Sequence, residues 1–114
     1  MKIAFDWDGT TWGYLGHKFL QDMALTLKNA GWEVVIISAV PASWKGNNVR
    51  ESEIARLAPD FPYYVVYTDG HEAAGQEKTR VMKELGIEWL VDDTENLCKC
   101  AVENGVRILQ VRWK

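Results

Sequence analysis

The chain has 114 residues, 47% of them hydrophobic and 25% charged, with a net charge of -3. That length supports one compact soluble domain with a real core and is too short for two, so a single domain over 1–114 is expected. The acidic balance excludes a basic surface for generic nucleic-acid coating, although a local basic pocket stays open, and no apolar run approaches the ~20 residues of a membrane span.

Acids interrupt the opening MKIAFDWDGT, which therefore does not fit a signal peptide, and a cytoplasmic location is expected. The apolar run Ile3 to Phe5 passes straight into Asp6-Trp7-Asp8-Gly9-Thr10, the pattern of a buried strand ending in a polar turn. Alternate side chains of a strand share a face, so Asp6 and Asp8 should point the same way. Two like charges held that close repel, and either a divalent cation or a retained proton relieves them. An ordinary Asp-Gly turn is the bland alternative.

Thr11 to Gly16 holds no more than a tight loop or small hairpin. From His17 a helix is expected, with Phe19, Leu20, Met23, Ala24 and Leu27 on one face and Gly31 after its end. Glu33 to Ala39 is a β-branched run that suits a strand buried on both faces, with Ser38 near its end. Pro41 to Asn48 is a loop, and Asn48 with Glu51 suggests a capping box opening a short helix through Ile54 and Leu57. A third strand, Tyr63 to Tyr67, stops at Thr68-Asp69-Gly70. The spacing then predicts a helix over Gln76 to Leu85, a strand over Glu88 to Val91 meeting Asp92-Asp93-Thr94, a helix over Glu95 to Glu103 and a last strand over Val106 to Val111.

Strands alternating with helices through short loops predict an α/β fold: a three-layer, Rossmann-like arrangement with a five-stranded parallel sheet covered by helices on both faces. The binding crevice of such a fold lies beyond the carboxyl ends of its strands. Asp6, Asp8, Ser38, Asp92 and Asp93 all fall there. Ser38 alone is an ordinary strand-end serine, and Asp92-Asp93 alone a turn before a helix cap. Together, four acids on one rim call for a hard cation, and Mg²⁺ takes carboxylate and carbonyl oxygens. A phosphate would also need a protein cation. On the Gln76 to Leu85 helix, position 78 shares the face of Val81, Met82 and Leu85, whereas Lys83 falls with Thr79, Arg80 and Glu84, so Lys78 is favoured.

Four motifs in order, DWDGT (Asp6, Asp8, Thr10), the strand-end IIS (Ser38), Lys78 and LVDD (Asp92, Asp93), make the whole chain resemble a haloacid-dehalogenase (HAD) superfamily phosphohydrolase. The resemblance implies an HAD-like fold and a Mg²⁺-dependent phosphomonoester hydrolase. Asp6 would be the nucleophile that forms an aspartyl-phosphate, and Asp8 the general acid that protonates the leaving oxygen and then activates water. Metal binding is implied for Asp6, for Asp8 through its backbone carbonyl, and for Asp92, with Asp93 assisting. Thr10, Ser38 and Lys78 would bind the phosphoryl group. The family usually carries an aliphatic residue where this chain has Thr11-Trp12.

Similar enzymes often insert a cap domain. Here the loop after the first motif is too short for one, and the segment between Ser38 and Lys78 is already occupied by a helix and a strand, so none is expected. An open site suits a phosphorylated small molecule or a macromolecular phosphate end, with an oligomer or partner supplying a lid. Among the six tryptophans, Trp32, Trp89 and Trp113 are expected to pack. Trp12 and Trp44 lie in the loops nearest the rim, where a ring face could stack on a base, although packing over the sheet edge is the simpler role. Lys45 and Arg50 would suit a second phosphate, with a solvated loop charge preferred. Cys98 and Cys100 form a lone C-x-C with too few ligands for zinc and poor disulfide geometry on a helix, and read as reduced thiols. The alternatives to hydrolysis are a phosphate-binding module without turnover and a receiver-like signalling domain, whose acidic pair and phospho-acceptor come in a different order.

Overall fold

The structure, a computed structural model, describes residues 1–112, so Trp113 lies outside the described residues. Five strands alternate with four α-helices: β1 Lys2–Phe5, α1 Lys18–Asn29, β2 Glu33–Val40, α2 Val49–Leu57, β3 Tyr63–Tyr67, α3 His71–Leu85, β4 Trp89–Asp92, α4 Glu95–Glu103 and β5 Arg107–Gln110. The strands form one parallel sheet in the order β3-β2-β1-β4-β5. The chain leaves β1 toward one edge, returns, and completes the other, so the order reverses at the central strand.

Side-chain alternation along β1 builds the three layers. Ile3 and Phe5 enter one core with Leu20 and Ala24 of α1 and Ile54 of α2, while Ala4 enters the other with Met82 of α3 and Leu97 and Ala101 of α4. Two helices therefore cover each face, as right-handed crossovers from a central strand require. Burying a side chain such as Phe5 or Ile36, both fully enclosed, contributes ~2 kcal/mol each against exposure. Trp32 and Trp89 pack against the first core as expected. No helix among the described residues is long and apolar enough to cross a membrane.

Three local expectations are corrected. Helix α3 begins at His71, five positions ahead of Gln76: His71-Glu72-Ala73-Ala74-Gly75 carries no large apolar side chain to mark a stripe, yet the stretch is helical and its Gly75 lies close against α4. Gly75 is buried there, with Leu97 Cα and Cys100 Cβ 3.7 Å from where a β-carbon would stand. The capping box at Asn48 does not form. Asn48 is left-handed (φ 56°) with no side-chain cap, and Asn47 accepts the Val49 N–H instead at 3.1 Å. Phe19, expected on the buried face of α1, is 64% exposed and lies beside the His17 ring.

Candidate active site

The carboxyl ends of β1, β2 and β4 meet at one point because of register. Phe5 stands opposite Ile36 on one side and Val91 on the other, so Asp6, Ser38 and Asp92 follow onto the same rim. The Asp6 N–H donates to the Val91 carbonyl at 2.9 Å, carrying the sheet ladder one residue past the strand. Beyond it opens a cleft of about 430 Å³ lined by Asp6, Asp8, Ser38, Lys78 and Asp93 among others.

Lys78 organises the centre. Its Nζ lies 2.8 Å from Asp6 Oδ1 and 3.1 Å from Asp92 Oδ2, and all three residues are buried. Burial alone would lower the lysine pKa, but Asp6 and Asp92 outweigh it and raise it, so Lys78 is charged. Asp6 is pushed up to about 8, first by burial and then by the Asp92 charge, against the pull of Lys78. Lys83 is exposed on the other side of the helix.

Asp6 is also held by the turn that follows it. Thr10 Oγ1 donates to Asp6 Oδ2 at 3.1 Å, and Thr11 Oγ1 to the Asp6 carbonyl at 2.7 Å. Thr10 is fully buried, so its hydroxyl orients Asp6 and does not face the cleft as a phosphate ligand. The turn requires Gly9. Its φ is +73°, and a β-carbon there would lie 2.1 Å from Asp93 Oδ2.

Asp6, Asp92 and Asp93 each offer one carboxylate oxygen within 4.8 Å of the others. These hard oxygen donors fit Mg²⁺. One lysine against three clustered acids also leaves the site short of positive charge, and the Asp92 and Asp93 charges add to burial, the larger cause, in raising the Asp6 pKa. Asp92 Oδ1 accepts the Thr94 N–H at 2.9 Å, which leaves Asp93 the less engaged of the pair.

The Asp8 carboxylate is not part of this cluster. Past Phe5 the chain turns, Trp7 is driven fully into the core, and the Asp8 carboxylate meets the loop at Tyr14 and helix α2 at Arg50. There Oδ1 accepts the Tyr14 N–H at 3.0 Å and Oδ2 accepts Arg50 Nη2 at 2.8 Å. The expected clash of Asp6 with Asp8 is thus resolved by a separate cation for each, and any Asp8 contribution to a metal falls to its backbone carbonyl.

Arg50 is the residue that sequence reasoning misplaced. It is 8% exposed on the first turn of α2, and its Nη1 donates to Ser38 Oγ at 2.6 Å. Its Nε lies 3.5 Å from Glu53 Oε1, which also accepts the Trp7 indole N–H, and its guanidinium lies 5.9 Å from the Trp44 ring centroid. Trp44 therefore backs Arg50 and does not line the cleft. Trp12 stacks on Trp7 at 6.0 Å and leans on Phe61 at 5.3 Å, a packing position. The cleft wall is instead built by Tyr14, Leu15, Thr68, Gly70 and His71. The only sequence signal for the last three was the polar break after the third strand.

Cys98 and Cys100 are free thiols. Burial and then the Asp92 charge push the Cys98 thiol up to about 12, which keeps it protonated and unreactive.

No family model matches the chain, and no curated protein matches it. Solved structures do. A chain of the Pnkp1/Rnl/Hen1 RNA repair complex aligns with a TM-score of 0.74 at 17% identity, over 98% of this chain and 42% of that one. A chain in a structure of the Pnkp1/Rnl/Hen1 complex aligns with a TM-score of 0.73, also at 17% identity, over 98% and 46%. The chain spans less than half the length of these neighbours, and at that identity the likeness establishes the fold.

Proposed function

We propose that this chain is a Mg²⁺-dependent phosphomonoester hydrolase of the haloacid-dehalogenase type. The observation that carries the proposal is Lys78 bridging Asp6 and Asp92 in a cleft that also presents Ser38 and Asp93. A buried lysine beside a strand-end carboxylate suits the charge that builds on a phosphoryl group in transfer. Asp6 Oδ attacks phosphorus, the ester oxygen leaves with a proton from Asp8, and the resulting aspartyl-phosphate is cleaved by water that returns its proton to Asp8. Asp6, Asp92 and Asp93, with the Asp8 carbonyl, would hold the Mg²⁺, which supplies charge to offset the phosphoryl oxygens. Ser38 and Lys78 bind those oxygens, and Thr10 keeps the nucleophile aimed.

The sheet order disfavours a receiver-like domain. Flavodoxin-like signalling folds run 2-1-3-4-5, whereas this sheet runs 3-2-1-4-5. The presence of both Asp6 and Asp8 favours turnover over a phosphate-binding module without it, and an assay separates the two.

The substrate class we favour is a macromolecular phosphate end. The cleft is open, so a partner could close over a bound end here, and one of the two structures named above is of an RNA repair complex. The test is a screen with Mg²⁺ over nucleotides, sugar phosphates and 3′- or 5′-phosphorylated oligonucleotides. Phosphate release from at least one class, lost in Asp6→Asn, is the expected result. Release from none overturns the proposal.

A further inference from the structure

We propose that Arg50 is a positioning residue that turns Ser38 into an obligatory donor toward the cleft and clamps Asp8 beside it. This rests on the phosphohydrolase proposal above, because the ligand that the Ser38 proton would meet is a phosphoryl oxygen.

A serine hydroxyl holds one proton and two lone pairs, and can normally point either way. A guanidinium has donors only. With Arg50 Nη1 at 2.6 Å, Ser38 Oγ has to accept, and its own proton is left for another partner. Among the described residues Ser38 Oγ donates to no protein acceptor, and Ser38 lines the cleft with Asp6 and Lys78. The bond therefore leaves that proton for an oxygen that enters the cleft. The second arm of the same fork, Nη2, takes Asp8 Oδ2, while the Tyr14 N–H takes Oδ1, so both oxygens of the carboxylate are fixed.

Arg50 is itself braced. Glu53 holds its Nε side, the Trp44 ring lies against its face, and Glu53 is anchored through the Trp7 indole next to Asp8. A planar fork reaching a hydroxyl and a carboxylate at once is a geometry that lysine, with one point charge, cannot reproduce.

A residue that merely staples α2 to the sheet would lower stability and leave the Ser38 contribution as it was. A positioning residue makes the two contributions depend on each other. The test is a double-mutant cycle over wild type, Ser38→Ala, Arg50→Ala and the double variant. It is read as the Kd for inorganic phosphate with Mg²⁺ present, and as kcat and KM on p-nitrophenyl phosphate. Ser38→Ala should weaken phosphate binding by about tenfold in the wild-type background and by less than about twofold once Arg50 is gone. Added guanidinium ion should restore part of the affinity of Arg50→Ala and none of the double variant's. If Arg50→Ala does not fold, Arg50→Lys replaces it, with an intermediate loss expected because only one arm of the fork survives. An equal loss for Ser38→Ala in both backgrounds overturns the inference. Because the cycle is read on phosphate affinity, it decides Arg50 even where no ester is hydrolysed. A wild-type protein that binds no phosphate overturns this inference together with the proposed function.

Discussion

Lys78 Nζ lies 2.8 Å from Asp6 Oδ1 although 72 positions separate the two residues in the chain. The pair joins the third helix to the first strand at the centre of the cleft. Replacing Lys78 by Ala should lower kcat/KM by on the order of a hundredfold to a thousandfold, the usual loss for one preorganised charge-stabilising group. Lys83→Ala, on the exposed side of the same helix, should leave it unchanged. Both variants are measured on one substrate, with circular dichroism confirming the fold. A crippled Lys83→Ala beside an active Lys78→Ala would reverse the assignment.

Asp6→Asn keeps the size of the side chain and removes the nucleophile. Turnover should fall by at least about a hundredfold while thermal unfolding stays cooperative. A variant retaining more than a few per cent of wild-type turnover sinks the nucleophile assignment.

The same variant has a pH signature in the metal-free protein. The Asp6 carboxyl is raised from 3.8 to about 8 in the folded chain, led by burial, so between these values the native state holds a proton that the unfolded state has released. The Asp6 contribution to stability is therefore lost as pH rises through that window. In EDTA, the urea midpoint of wild type should fall between about pH 5 and about pH 8 more steeply than that of Asp6→Asn. Equal slopes for the two proteins contradict the raised Asp6 carboxyl.

Calorimetry with Mg²⁺ checks the acidic cluster. Asp92→Ala and Asp93→Ala should each weaken binding by tenfold or more on the order-of-magnitude scale of a lost carboxylate ligand. Asp92→Ala should also disturb the apo protein, since Lys78 and the Thr94 N–H both lose a partner. Unchanged affinity in either variant removes that residue from the ligand set.

Gly9→Ala tests the turn. The left-handed backbone strains any residue but glycine, and a methyl group 2.1 Å from Asp93 Oδ2 would push that carboxylate aside. The variant should lose more than about 1 kcal/mol in urea unfolding and bind Mg²⁺ more weakly. Wild-type values for both would show that the turn is more yielding than its geometry implies.

Much of this protein was written locally in its sequence. Each strand is a short apolar run closed by a polar break, so the α/β alternation, the parallel sheet and the rim carrying Asp6, Ser38 and Asp92 follow from patterns a few residues long. The inward phase of Lys78 was legible for the same reason, since it depends only on helical spacing from Val81, Met82 and Leu85. Tertiary structure decided what long-range partners control. The two cleft partners of Arg50, Ser38 and Asp8, lie 12 and 42 positions away, and its nearby Glu53 and Trp44 do not by themselves distinguish it from a solvated arginine. The separation of Asp8 from the acidic cluster, the burial of Thr10 against Asp6 and the packing of Trp12 on Trp7 likewise depend on where the chain turns after Phe5. A side chain's direction past a strand end is fixed by the charges and rings it meets in space, and periodicity along the chain carries no information about them.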